Sequence, residues 1–160
     1  MLIPLRNMTA IYLRRGDRYL LLHREGSRQI DGLWVGAAGG HFEPEELNDP
    51  TTCILRELTE ETGLTARDIE NLTMRYVTLR YTGGEIRQNY YFFADLTAQP
   101  DALSSNEGTL AWMTLDEALE HEMPVTAKYV VAHYRAVGQY DDALYGGITT
   151  DDGMDFVKMG

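Results

Sequence analysis

Cysteine is almost absent: Cys53 stands alone among 160 residues, so no internal disulfide can form and no cysteine-based zinc site can be assembled. Any metal would have to be held by oxygen or histidine. Long apolar runs are missing too, since none approaches the roughly 18 residues needed to cross a bilayer. The start, MLIPLRNMTAIYLRR, lacks the charged, apolar and small-residue regions of a signal peptide. A soluble, cytoplasmic protein with no membrane partner is expected. Basic charge is scarce, with 14 Lys and Arg against 25 Asp and Glu and a net charge of −11. Nucleic-acid polymers are bound through basic faces, so a polymer partner is excluded. No internal repeat or low-complexity linker is visible.

What is present fits one globular domain over residues 1–160, with 44% hydrophobic residues to build a core. Alternating apolar residues at 8–15 and 18–24, separated by Gly16-Asp17, predict a β-hairpin. The glycine-rich WVGAAGG (34–40) brings backbone where a side chain would obstruct, either in tight packing or beside a ligand. Residues 41–49 read as a loop. Asp49 as N-cap, Pro50 at the first helical position and Gly63 as stop delimit a helix over about 50–62. Strands follow at about 72–81, 86–96 and 109–114, with helices at 115–122 and from Val125 onward. The acidic, glycine-rich tail over about 139–160 is expected to be partly irregular. Interspersed strands and helices predict an α/β class with a mixed sheet covered on both faces.

Charge is unevenly placed. Residues 1–40 carry six basic residues against three acids, whereas 41–70 carry nine acids against two arginines. On the helix, RELTEETGL places Glu57, Glu60 and Glu61 three and four residues apart, where like charges repel by about 0.2–0.5 kcal/mol per pair. At about 100° per residue they fall in the arc beside Ile54, Leu55 and Leu58. Carboxylates bordering a buried face are costly for solubility, and a hard divalent cation with oxygen preference would relieve their repulsion. A solvated acidic face is the plainer alternative for these charges.

The surrounding pattern decides between them. Gly40, Glu46 and then Arg56-Glu57-Leu58-Thr59-Glu60-Glu61-Thr62-Gly63-Leu64 resemble the Nudix box, G-x5-E-x7-R-E-U-x-E-E-x-G-U with U aliphatic. Every named position matches. Nine residues, not seven, separate Glu46 from Arg56; the extra two lengthen the loop at LNDP and leave open the contact of Glu46 with the helix. The resemblance implies an α/β/α sandwich and hydrolysis of a nucleoside diphosphate linked to another group. It implies that Glu57, Glu60 and Glu61 hold Mg²⁺, with Mn²⁺ as the alternative, and that Glu57 or Glu61 acts on the attacking water. Arg56 is expected to orient a glutamate through a charge-assisted hydrogen bond.

Outside the helix, Glu107 in NEGTLAW is similar to the loop glutamate that many members direct at the metal, or else is a solvated loop acid. Arg24, closing the second strand, either meets a phosphate or forms a surface ion pair. Gly40 and His41 stand at the substrate side, His41 where many relatives carry lysine. Trp34, Tyr91 and Phe93 either stack on a base or belong to the core, and Trp34 is taken as a substrate-side candidate. Cys53 fills a small-residue position and is no nucleophile; His23, His121 and His133 have no metal-ligand spacing. DGLWVGAAGGHFE resembles MutT-type members, which implies conversion of a nucleoside triphosphate, oxidised ones included, to monophosphate and pyrophosphate. Tyr81, 17 residues after Leu64 (81 − 64 = 17), supports a dinucleoside polyphosphate (Ap4A-like) hydrolase as the alternative. A nucleotide-sensing module without catalysis is the reading from another class. Oligomeric state is open, a homodimer included.

Overall fold

Side chains alternate across a strand, and that alternation sorts the early residues onto two opposite faces. The structure, a computed structural model, describes residues 2–26, 32–98 and 103–160. β1 (Leu5–Arg15) and β2 (Arg18–Arg24) form the expected hairpin, with Leu13 opposite Leu20, and β1 begins already at Leu5. The glycine-rich stretch supplies β3 (Trp34–Gly36) and β4 (Ala38–His41), and a 3₁₀ turn at Pro44–Glu46 breaks the loop that follows. The Asp31 that opens the MutT-like stretch lies outside the described residues.

α1 (Pro50–Thr62) has the bounds its caps announce. The Asp49 side chain accepts from the Thr52 N–H at 3.1 Å, and Gly63 takes φ +80°, the left-handed conformation that ends helices. Then come β5 (Ile69–Thr82), β6 (Glu85–Leu96), β7 (Gly108–Met113), α2 (Leu115–Leu119) and α3 (Val125–Ala136), closed by β8 (Leu144–Thr150) and β9 (Gly153–Met159). α2 stops short of the expected 122. Glu120 and Glu122 would place negative charge at a helix C-terminus, which the helix dipole disfavours.

Among the described residues the strands form one mixed sheet in the order β3-β2-β1-β6-β5-β8-β9, with β4 paired to β1 and β7 to β2. β1–β6 and β5–β8 are parallel pairs; the other pairs are antiparallel. Ile11, Leu13, Leu20 and Phe92 face α1 and bury Ile54 and Leu58. Their strand neighbours Tyr12, Tyr19, Leu21, Tyr91 and Phe93 face the other way and bury Val130, Val131 and Tyr134 of α3. Helices therefore cover both faces of the sheet, the α/β sandwich that was expected. Burying a side chain such as Ile54 or Leu58 stabilises by roughly 1.5–3 kcal/mol, so α1 is anchored by its apolar face and leaves its acidic arc to the rim. No helix among the described residues is long and apolar enough to cross a membrane.

The tail is a correction. Residues 144–159 form an ordered hairpin, and β8 extends the sheet by pairing with β5 from Tyr76↔Tyr145 to Leu79↔Ile148. Gly146 and Gly147 look like strand breakers in the sequence, but a Cβ on either would lie 2.9 Å from a methionine Sδ, of Met159 and Met154 respectively. The glycines make room for the side chains of β9.

Candidate active site

The three glutamates of α1 meet three different environments. Glu61 is 8% exposed, Glu57 is half-buried and Glu60 is exposed. Burial pushes the Glu61 carboxyl up from 4.5 to about 7, with Glu57 and Glu107 nearby opposing its charge and the Gly39 N–H, donating to its Oε2 at 2.8 Å, favouring it. Burial also raises Glu57, against the pull of Arg56. Two partly desolvated carboxylates on one helix are unfavourable as anions, and an oxygen-seeking cation beside them would reverse that preference.

Arg56 ties the helix to the loop before it. Its Nε and Nη2 donate to both oxygens of Glu46, at 2.8 and 3.0 Å, in a bidentate pair. Nη1 reaches Glu60 at 3.0 Å and Glu57 at 3.1 Å, and Nη2 also donates to the His41 carbonyl at 3.1 Å. The guanidinium holds Glu46 down at about 2. Glu46, only 3% exposed, is thus in full contact with the helix despite the longer loop. The 3₁₀ turn takes up the extra length: the Glu43 N–H donates to Glu46 Oε1 at 2.9 Å and the Asp49 N–H to the Glu46 carbonyl at 2.7 Å. Arg56 thus contacts three glutamates, Glu46, Glu57 and Glu60.

β4 carries the other wall. Gly40 lies opposite Thr9 of β1, and a Cβ on Gly40 would sit 2.5 Å from Glu57 Oε1. The glycine is needed so that the Glu57 carboxylate can lie against the strand. Cys53, fully buried, has its thiol pushed up to about 11 by burial, which suits a packing residue and not a nucleophile.

Glu107 precedes β7, and Arg24 ends β2 opposite Gly108. They meet in an ion pair, Arg24 Nη1 to Glu107 Oε2 at 3.3 Å, while the buried Nε of Arg24 has no partner among the described residues. Asn106 fastens this loop to the C-terminal end of α1: its N–H donates to the Glu61 carbonyl at 3.1 Å and its Nδ2 to the Glu60 carbonyl at 3.0 Å. Sequence reasoning missed Asn106, although the last carbonyls of a helix always need donors. It also missed the Gly39 N–H.

A cavity of about 700 Å³ is lined by Arg24, Gly40, His41, Arg56, Glu57, Glu60, Glu61 and Glu107 together. Trp34 is not among its lining residues. Its ring lies between those of His23 and His121, at centroid distances of 4.8 and 4.9 Å, and β3 sets it beside the α2–α3 connection, where the Trp34 backbone N–H donates to the Glu122 carbonyl. Phe93 is core, stacked on Tyr134 at 3.9 Å. Tyr91 is 4% exposed and forms part of the cavity floor. Among the described residues no three His, Cys, Asp or Glu side chains already converge as a metal cage. The donor set is all oxygen and faces open space, which suits an ion that keeps waters and shares phosphate oxygens as ligands.

The NUDIX domain family matches residues 4–134. Among solved structures, a MutT protein from Bacillus halodurans is 25% identical with a TM-score of 0.65, covering 94% of this chain and 97% of that one. The ORF135 protein of E. coli is 23% identical with a TM-score of 0.67, over 86% and 94% of the two chains. An Ap4A hydrolase from C. elegans is 20% identical with a TM-score of 0.63, over 87% and 100%.

Proposed function

The chain belongs to the NUDIX family and is a hydrolase of phosphoric anhydrides, and we propose that it converts a nucleoside triphosphate, oxidised bases included, to monophosphate and pyrophosphate with Mg²⁺. The observation that carries this reading is the convergence on one cavity of Glu57, Glu60 and Glu61 with Glu107 and Arg24. Similarity to the Bacillus MutT protein over nearly the whole chain favours the triphosphate branch.

Glu57, Glu60 and Glu61 would hold the divalent ion, for which Mn²⁺ is the alternative. When bound, it neutralises phosphate charge and lowers the pKa of bound water. Around it, Arg56 keeps the carboxylates of Glu57 and Glu60 in place, and the Gly39 N–H fixes that of Glu61. Glu57 or Glu61 takes the proton of the attacking water, with Glu107 as a third acceptor on the facing loop. Arg24 serves a phosphate oxygen, exchanging its contact with Glu107 for the substrate. Fixed charges of this kind act at the transition state without reorganisation.

The dinucleoside polyphosphate alternative has the C. elegans neighbour and Tyr81 in its favour. Tyr81 is 67% exposed and follows Arg80, which lines the cavity. A substrate panel with Mg²⁺ separates these readings: normal and oxidised dNTPs, dinucleoside polyphosphates and sugar nucleotides, scored by chromatographic separation of the nucleotide products together with released pyrophosphate. Turnover confined to dinucleotides would refute the triphosphate reading.

A further inference from the structure

At the far end of the same cavity, three arginines lie side by side on three adjacent strands. Arg6 of β1 is in register with Arg87 of β6, and Arg87 with Arg80 of β5. Residues in register project from the same face of a sheet, and all three line the cavity. Like charges directly opposite one another destabilise a sheet, and this chain has a net charge of −11. A row of three guanidiniums is therefore unexpected unless something anionic joins it.

The protein itself compensates them only in part. One carboxylate, Glu85, accepts from Arg6 at 3.1 Å and from Arg87 at 3.0 Å. Arg80 has no ion pair among the described residues, and the ring of His41 lies 2.6 Å from Arg6. Three cations thus face one anion beside a cavity open to solvent. Arginine presents its N–H donors as a planar fork that matches phosphate oxygens.

The position matters. Gly40, which touches Glu57, pairs with Thr9, and Arg6 lies three residues before Thr9 (9 − 6 = 3). At about 3.3 Å per residue, the arginine row is roughly 10 Å along the strand from the glutamate end. That is a backbone separation, and the Arg6 guanidinium reaches to 2.6 Å from the His41 ring beside Gly40, so the row stands next to the glutamate end and offers its donors to a phosphate beyond the scissile anhydride.

We propose that Arg6, Arg80 and Arg87 form a second phosphate subsite, so that the enzyme favours nucleotides carrying a further phosphate monoester away from the scissile anhydride. This deepens the hydrolase reading and rests on it for the substrate, while the anion site itself does not.

The test therefore has two arms. In EDTA, where no metal assists the glutamates, calorimetry with inorganic phosphate is expected to show binding to the wild type. Arg80→Gln and Arg87→Gln are expected to weaken it at least about tenfold, the loss of one charge-assisted pair, and Arg80→Lys to weaken it less. Arg67→Gln, at an exposed position outside the cavity, is expected to bind as the wild type does. Absence of binding, or equal binding by all variants with unchanged circular dichroism, would overturn the subsite. With Mg²⁺, adenosine 5′-triphosphate is compared with its 3′-phosphorylated form. The wild type is expected to prefer the latter through KM, and Arg80→Gln to erase that preference. Phosphate binding without the preference would overturn the substrate assignment. If no nucleotide in the panel is cleaved, the hydrolase reading fails, while the calorimetric arm still decides the subsite.

Discussion

Glu61→Gln should stabilise the metal-free protein at neutral and alkaline pH while removing its activity. Glu61 has its folded pKa raised from 4.5 to about 7 by burial. A raised carboxyl binds its proton more tightly in the fold than in the unfolded chain. Its contribution is therefore present below the unfolded value, is lost as pH rises from 4.5 through about 7, and stays lost above. At about 1.4 kcal/mol per pH unit the gap corresponds to a ceiling of about 3–4 kcal/mol. Coupling to Glu57 and Glu107 and residual solvent reduce this, so about 1–3 kcal/mol is expected at pH 8. Glutamine has nearly the same volume and keeps an acceptor for the Gly39 N–H, so little else changes. The assay is urea unfolding in EDTA at pH 4.5, 6 and 8. The stability gain of Glu61→Gln should be near zero at pH 4.5 and grow toward pH 8, whereas added Mg²⁺ should raise the wild type's stability and not the variant's. A variant equally stable or less stable at all three pH values would refute the claim that Glu61 is desolvated in the apoprotein.

Arg56→Ala should cost about 3–5 kcal/mol, because it leaves Glu46 buried without its bidentate partner; urea unfolding measures this, and a loss below about 1 kcal/mol would contradict the geometry. The Glu46 carboxyl is held below its ordinary value, so its stabilisation is present above 4.5 and lost as pH falls toward about 2. Acid unfolding of Glu46→Gln should accordingly be flatter across that window than that of the wild type. Gly40→Ala should displace Glu57, since the new Cβ would sit 2.5 Å from its Oε1. A loss of kcat of at least about tenfold is expected with the fold retained by circular dichroism. Asn106→Ala, which removes the side-chain donor to the Glu60 carbonyl, keeps the backbone bond to Glu61 and loosens the Glu107 loop, should cost about 1 kcal/mol and lower kcat.

Local chemistry made much of this legible in the sequence. Asp49, Pro50 and Gly63 each act within one turn of the helix they bound, so α1 could be read residue by residue. The acidic arc of α1 likewise follows from helical spacing, and Gly40 is marked by the resemblance to the Nudix box. What escaped was set by distant partners. Gly146 and Gly147 read as irregular because their function, making room for Met159, Met154 and Phe156, appears only once β9 folds back. The contact of Glu46 with Arg56 depends on how a 3₁₀ turn absorbs a longer loop, and spacing does not encode that geometry. Trp34 reads in the sequence as either a base-stacking or a core residue, and its place is decided by His23 and His121 on other elements. The Arg6–Arg87–Arg80 row needs the register of the β5–β6 hairpin and its parallel pairing with β1, far away in sequence.

The most direct test of the central claim is release of pyrophosphate from nucleoside triphosphates by the purified protein with and without Mg²⁺, alongside Glu57→Gln and Glu61→Gln. Metal-dependent release by the wild type, abolished by EDTA and lowered in both variants by at least about a hundredfold, is the expected result. No release from any normal or oxidised triphosphate, or release that survives both substitutions, would contradict it.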